Sequence, residues 1–247
     1  MDIKRILEKL DSYFSKNDYF GAERHLNYWL NEAEQSGDDR SKLTLCNELI
    51  GLSRKLSNEE QTFKYTRLAL DTLKSLQMED SISAATTYIN VATAYKAFGK
   101  PSSSLPLFEK AKIIYESNLL DSDSRLGGLY NNMALTLSEL KRFEEAYFFY
   151  NRAISVMSSV QKGELEIAIT HLNIASTAEA EKGLVDADEE IQSRLQKASA
   201  LLDIYKNDTD GYYAFVCEKC ASVFGYYGHF LYEKELKERA KNIYERS

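Results

Sequence analysis

A pattern of aromatic, apolar and small residues recurs at a period of 42, and a chain that repeats itself at such an interval folds as a stack of like units. Tyr88, Val91, Ala92, Tyr95, Ser104, Phe108 and Ala111 return 42 residues later as Tyr130, Met133, Ala134, Leu137, Ala146, Tyr150 and Ala153. In both copies the intervals are 3, 1 and 3, then a gap of 9, then 4 and 3, which is helical spacing on two separate helices. Each unit therefore reads as a helix, a turn and a second helix. The alanines sit mid-helix, where a bulky side chain would hold the two helices apart.

This order of tyrosine, small, tyrosine, small, aromatic and small residues resembles the tetratricopeptide repeat, whose usual period is about 34 residues. A longer period also suits HEAT or armadillo repeats, so the place of the extra residues matters. Ala92 to Ala111 spans 19 residues, as does Ala134 to Ala153; this is the tetratricopeptide spacing, and the excess falls between hairpins. The arrangement is similar to the long-helix repeats of kinesin light chain and of the peptide-sensing bacterial regulators. The expected fold is all-α: an α-solenoid of about six helical hairpins, with the right-handed superhelical sense that the resemblance implies.

One solenoid domain over residues 1–247 is expected, with units near 1–37, 38–79, 80–121, 122–162, 163–208 and 209–247. The first unit carries a stripe of Ile3, Ile6, Leu7, Leu10, Tyr13 and Phe14, then turns at Asn17-Asp18. Unit two places Cys46, Leu49, Ile50, Ser53, Thr62, Thr66 and Ala69 at the signature positions, with Ser57 or Asn58 as a helix cap. Pro101 and Pro106 predict a late start for the second helix of unit three, around 102–104, because proline is tolerated only in the first turn. In unit five, Ala198 follows Ala153 by 45 residues, which predicts a lengthened second helix over about 184–206. The last helix, LYEKELKERAKNIYERS, has a dense charged face of the kind a solenoid needs at its end, and the expectation is that the chain stops where the fold stops.

Composition narrows the function. A formal charge of -7 with a pI near 5.2 opposes binding to nucleic acid or anionic membrane. The first residues lack a leader's cleavage site, and no stretch approaches the length of a membrane span. Three cysteines without a paired framework fit a reducing compartment, and a cytoplasmic location is expected. Cys217-Glu218-Lys219-Cys220 invites a metal or redox reading. Zinc needs four ligands, yet no second such pair exists, the only histidines are His25, His171 and His229, and the cysteines occupy packing positions. Glycine-rich phosphate loops, GxSxG and HExxH are also absent from the sequence. The expectation is a non-enzymatic chain with no catalytic residue, no cofactor and no metal. The aromatic cluster of Tyr212, Tyr213, Phe215, Phe224, Tyr226, Tyr227, Phe230 and Tyr232 reads either as terminal core or as a sticky surface.

Asn90, Asn132 and Asn173 each stand two residues before a packing alanine, at intervals of 42 and 41. Two helical residues turn about 200°, so these amides face nearly opposite to the alanines. In the tetratricopeptide arrangement that direction is the concave groove. Thr93, Leu135 and Ser176 lie one turn further on, with Gly51 and Ser222 at the equivalent places in units two and six. In the long-repeat families, asparagines at this position contact bound peptide, and the resemblance implies that role for these three; Glu48 and Lys219 take the position in the outer units. Hydrogen bonding to neighbouring first helices is the other role open to them. The groove candidates are Asn90, Thr93, Asn132, Asn173 and Ser176. The implied partner is a protein or peptide ligand; the alternatives are a sensor of a small signalling peptide acting through a partner and a metal or redox protein built on the cysteine pair.

Overall fold

The computed structural model describes residues 1–245. Among them, twelve α-helices follow one another in antiparallel pairs with no strand between. The first six are α1 (Ile3–Phe14), α2 (Tyr19–Ser36), α3 (Asp39–Lys55), α4 (Glu59–Ser75), α5 (Ile82–Ala97) and α6 (Pro101–Asn118). The other six are α7 (Ser124–Glu139), α8 (Phe143–Met157), α9 (Gly163–Lys182), α10 (Asp188–Ile204), α11 (Gly211–Tyr226) and α12 (Phe230–Tyr244). They gather into two units, one from Met1 to Asn118 and one from Leu119 onward, each holding three hairpins. No described helix is long and apolar enough to cross a membrane.

The helices begin and end where backbone chemistry dictates. The side chains of Asp18, Asp38, Asn58 and Ser81 accept the N–H three residues on, at 2.8, 3.1, 3.1 and 3.1 Å. Each such cap satisfies an N–H that the helix cannot, a contribution of about 1 kcal/mol. Within five of the hairpins the first helix ends at a residue of positive φ: Asn17, Ser57, Gly99, Lys141 or Gly228. The next N–H then turns back to the carbonyl five residues earlier, as in Asp18 to Tyr13, Asn58 to Ser53, Lys100 to Tyr95, Arg142 to Leu137 and His229 to Phe224. One turn geometry thus joins five hairpins and sets the second helix antiparallel to the first.

Two local expectations are corrected. The second helix of the third hairpin starts at Pro101, not at a capping serine: Lys100 C=O already accepts from Ser103 and Ser104, and proline at the first helical position gives up no intrahelical bond. Pro106 lies inside α6, so the Ser102 carbonyl loses its usual partner there. In the fifth hairpin the added length is in α9, which runs 20 residues against 16 for α7 and α11, and in the turn after it. That turn opens at Gly183 (φ 84°, ψ 160°), which shares the positive φ of the other turns but has a ψ far from the left-handed helical value, a conformation open to glycine alone.

In each unit the core is a line of small residues flanked by aromatics. Ala92, Ala111, Ala134, Ala175, Ala198 and Ala221 are fully buried, as are the large side chains of Tyr65, Tyr115, Tyr130, Tyr150 and Tyr213. Buried hydroxyls find partners: Tyr65 donates to Asn27 Oδ1 at 2.8 Å, and Tyr150 pairs with Thr177 at 3.1 Å. Enlarging a buried alanine forces the paired helices apart. Ala134→Leu is expected to lower the unfolding free energy by about 1–3 kcal/mol in urea titrations, whereas a change at exposed Phe148 moves it by less than about 0.5 kcal/mol.

Candidate functional site

In the second unit the first helices α7, α9 and α11 line a groove of about 500 Å³. Its walls include Asn131 and Asn132 from α7, Glu166 and Asn173 from α9, and Tyr212 and Lys219 from α11. Helical spacing explains the grouping. Asn132, Asn173 and Lys219 each precede a buried alanine by two residues, so burying Ala134, Ala175 and Ala221 turns all three side chains toward this surface. In the first unit the corresponding face holds a cleft of about 340 Å³ whose walls include Asn47, Glu48, Ser83, Thr86 and Asn90.

The structure brings Asn132 and Asn173 to one groove and places Asn90 in the cleft of the first unit, each half-buried. Thr93, half-buried on α5, and Ser176, exposed on α9, lie outside the lining of these cavities; the Ser176 hydroxyl donates to its own helix at Leu172 O, 3.3 Å away. Leu135 joins the groove wall.

The amides have specific partners. Asn90 Nδ2 donates to Asn47 Oδ1 on α3 at 3.0 Å, and Asn47 Nδ2 donates to Thr87 Oγ1 at 2.9 Å. In the second unit Asn173 Nδ2 donates to Asn131 Oδ1 on α7 at 3.1 Å, and the Thr170 hydroxyl donates to the same oxygen at 3.3 Å. Asn132 differs: its Nδ2 donates within its own helix to Gly128 O at 2.9 Å. Asn47, Thr87, Asn131 and Thr170 are not among the residues that the sequence singles out. A signal for them was present, because Thr87 and Thr170 each precede a ladder asparagine by three residues and Asn131 follows Asn47 by two full periods.

Charge is distributed unevenly along these surfaces. Lys162, on the groove wall, is held by Asp208 at 2.6 Å and Asp210 at 2.8 Å, and its ammonium keeps both carboxyls below the usual range. Glu166 accepts the Tyr212 hydroxyl, which burial and that carboxylate push upward. Lys219 is exposed and makes no ion pair with a described residue. In the first unit, burial raises the Glu48 carboxyl, and the nearby Asp11 adds to the effect.

The cysteine pair is packed into the core of the second unit. Cys217 and Cys220 are buried on α11, and burial pushes the Cys220 thiol up to about 12, as it does Cys46. Among the described residues no three His, Cys, Asp or Glu side chains come together to hold an ion. A thiol, and not a thiolate, is a poor nucleophile. Ellman's reagent is therefore expected to leave the three thiols of the folded chain unmodified at neutral pH and to titrate all three in urea. The aromatic cluster divides: Tyr213 and Phe224 are core, while Phe215, Tyr226 and Phe230 are exposed.

His171 on α9 supplies a pH response. Burial first, then the charges of Arg194 and Lys197, lower its pKa from 6.5 to about 4, and its Nδ1 finds no partner among the described residues. The unfolded chain then binds a proton at higher pH than the folded chain does, so this contribution to stability is present above pH 6.5 and is lost as pH falls toward 4. Urea midpoints are expected to drop across that window more steeply in the wild type than in His171→Gln; parallel slopes would contradict the assignment.

Residues 84–121 and 128–156 each match a family model described as tetratricopeptide repeat. No curated protein is significantly similar to the chain. Among solved structures, BtubC (BKLC) from P. vanneervenii is 17% identical, with a TM-score of 0.54 over 98% of this chain and 91% of that one. A Podosopora anserina protein assigned as a kinesin light chain with nearly identical TPR-like repeats is 13% identical, with a TM-score of 0.55 over 82% and 94%. A Rap protein complexed with Competence and Sporulation Factor is also 13% identical; its TM-score is 0.67 over all of this chain, which spans 65% of that protein. At these identities the likeness is one of fold.

Proposed function

We propose that this chain, a tetratricopeptide-repeat protein and so by architecture a protein–protein interaction scaffold, holds an extended peptide segment of a partner protein against its first helices. The observation that carries this reading is the groove of the second unit, where Asn132 and Asn173 stand on the first helices of neighbouring hairpins, one repeat apart. An extended strand presents backbone N–H and C=O groups along its length, so side-chain amides can engage it without regard to its side chains. A carboxamide donates and accepts at once, which suits a peptide bond. The chain's negative charge supports a protein partner over nucleic acid or an anionic membrane. A reducing, cytoplasmic setting accords with three buried unpaired cysteines.

A second reading is favoured by the similarity to the Rap protein complexed with Competence and Sporulation Factor, which extends over the whole of this chain. In it the groove receives a small signalling peptide, and the response passes through another protein. The two readings share a site and differ in the size of what fills it.

The test is affinity capture with the full chain, followed by mass spectrometry, with Asn132→Ala as the control bait. Among the described residues the Asn132 side chain bonds only within its own helix, so its truncation is expected to change stability by no more than about 0.5 kcal/mol. Captured protein should nevertheless be lost from the variant, since each peptide group left unpaired costs about 1–3 kcal/mol. Equal capture by both baits would contradict a groove-bound partner. Recovery of a short peptide, and not a protein, would select the second reading.

A further inference from the structure

The ladder asparagines are not interchangeable donors and acceptors, because neighbouring helices hold two of them in one orientation. In each unit an amide on one first helix offers its oxygen to the ladder asparagine of the next: Asn47 to Asn90 at 3.0 Å and Asn131 to Asn173 at 3.1 Å. The pair recurs in both units, with a threonine at the matching position beside the supporting amide: Thr87 accepts from Asn47 Nδ2, whereas Thr170 donates to Asn131 Oδ1. Asn131 is 8% exposed, so an orphaned oxygen there would be costly; the Asn173 amide supplies its donor, while the single Thr170 proton is shared between this oxygen and the closer Glu166 O at 2.9 Å. Rotating the Asn173 amide by half a turn would set oxygen against oxygen and lose that bond. Its Nδ2 end is therefore fixed toward α7, and its Oδ1 accepts no bond from a described residue.

We infer that Asn47 and Asn131 are positioning residues that turn the carbonyl oxygens of Asn90 and Asn173 toward the ligand, and that each unit therefore selects a ligand presenting hydrogen-bond donors there, the N–H groups of an extended peptide backbone. This rests on the peptide reading above and deepens it. The groove then discriminates by polarity: a ligand offering only acceptors at these two points, such as a phosphate or carboxylate, leaves both oxygens unpaired. Lys219, at the equivalent position on α11, has the opposite polarity and takes an acceptor.

Two measurements test this and separate its failure from that of the peptide reading. The first needs no ligand. In ¹⁵N-labelled full-length protein, the side-chain amide hydrogens of Asn173 are expected to be dispersed and slow to exchange with water, to remain so in Asn131→Asp, which keeps the accepting oxygen, and to collapse to averaged signals in Asn131→Leu. Averaged signals in the wild type, or no difference between the two variants, overturn the positioning role. The second uses an arrayed library of random peptides and, for the best binder lost on Asn132→Ala, a series methylated at one backbone nitrogen at a time. Methylation at one or two positions is expected to weaken binding about tenfold or more, as loss of a single buried hydrogen bond requires, and these positions should become insensitive in Asn131→Leu but not in Asn131→Asp. A flat methylation profile overturns the donor selectivity while leaving peptide binding in place. A library with no groove-dependent binder overturns both the ligand class assigned here and the reading beneath it, and the spectra still decide the positioning of Asn173.

Discussion

Two helices can bring their backbones close together only where the side chains between them are small, and this constraint organises the rest of the molecule. Ala92, Ala134, Ala175 and Ala221 meet it on the first helices, Ala111, Ala153, Ala198 and Ala240 on the second. Once these alanines are turned inward, helical geometry leaves no freedom for the residues two positions earlier. Asn90, Asn132, Asn173 and Lys219 face outward as a consequence of packing, and the candidate groove follows from the core. The uniform turns have the same effect on the hairpins. A left-handed residue and one back-bonded N–H reproduce the same reversal within five hairpins.

The fold was legible because its signals are local and repeated. Spacing of small and aromatic residues identifies a hairpin within a single copy, and recurrence identifies the stack. Two details escaped for physical reasons. Proline was expected to delay α6, yet Lys100 provides the first carbonyl, so Pro101 begins the helix and Pro106 is carried at a cost inside it. The sequence assigns the residues added in the fifth hairpin to α10, whereas α9 lengthens and the turn at Gly183 takes the remainder; periodicity counts residues between landmarks without saying which element absorbs them.

The candidate site was legible in part. The ladder positions follow from one helix at a time, which is why Asn132 and Asn173 could be placed on a common face. Their supports could not be found that way, since the bond from Asn173 to Asn131 spans 42 residues and depends on how α7 and α9 are set against each other. The same limit applies to Lys162, whose two aspartates lie 46 and 48 residues away. Contacts of this length are made by the stack and appear in sequence only as matched positions in separate copies.

The account stands on the groove of the second unit being where a partner lies. A photo-crosslinking residue at Leu135, on the groove wall, and another at Phe148, exposed on α8, test this directly in the full chain with a captured partner or binding peptide. Crosslinking from position 135 and not from 148 is the predicted result. Crosslinking from 148 alone, or equally from both, would contradict it.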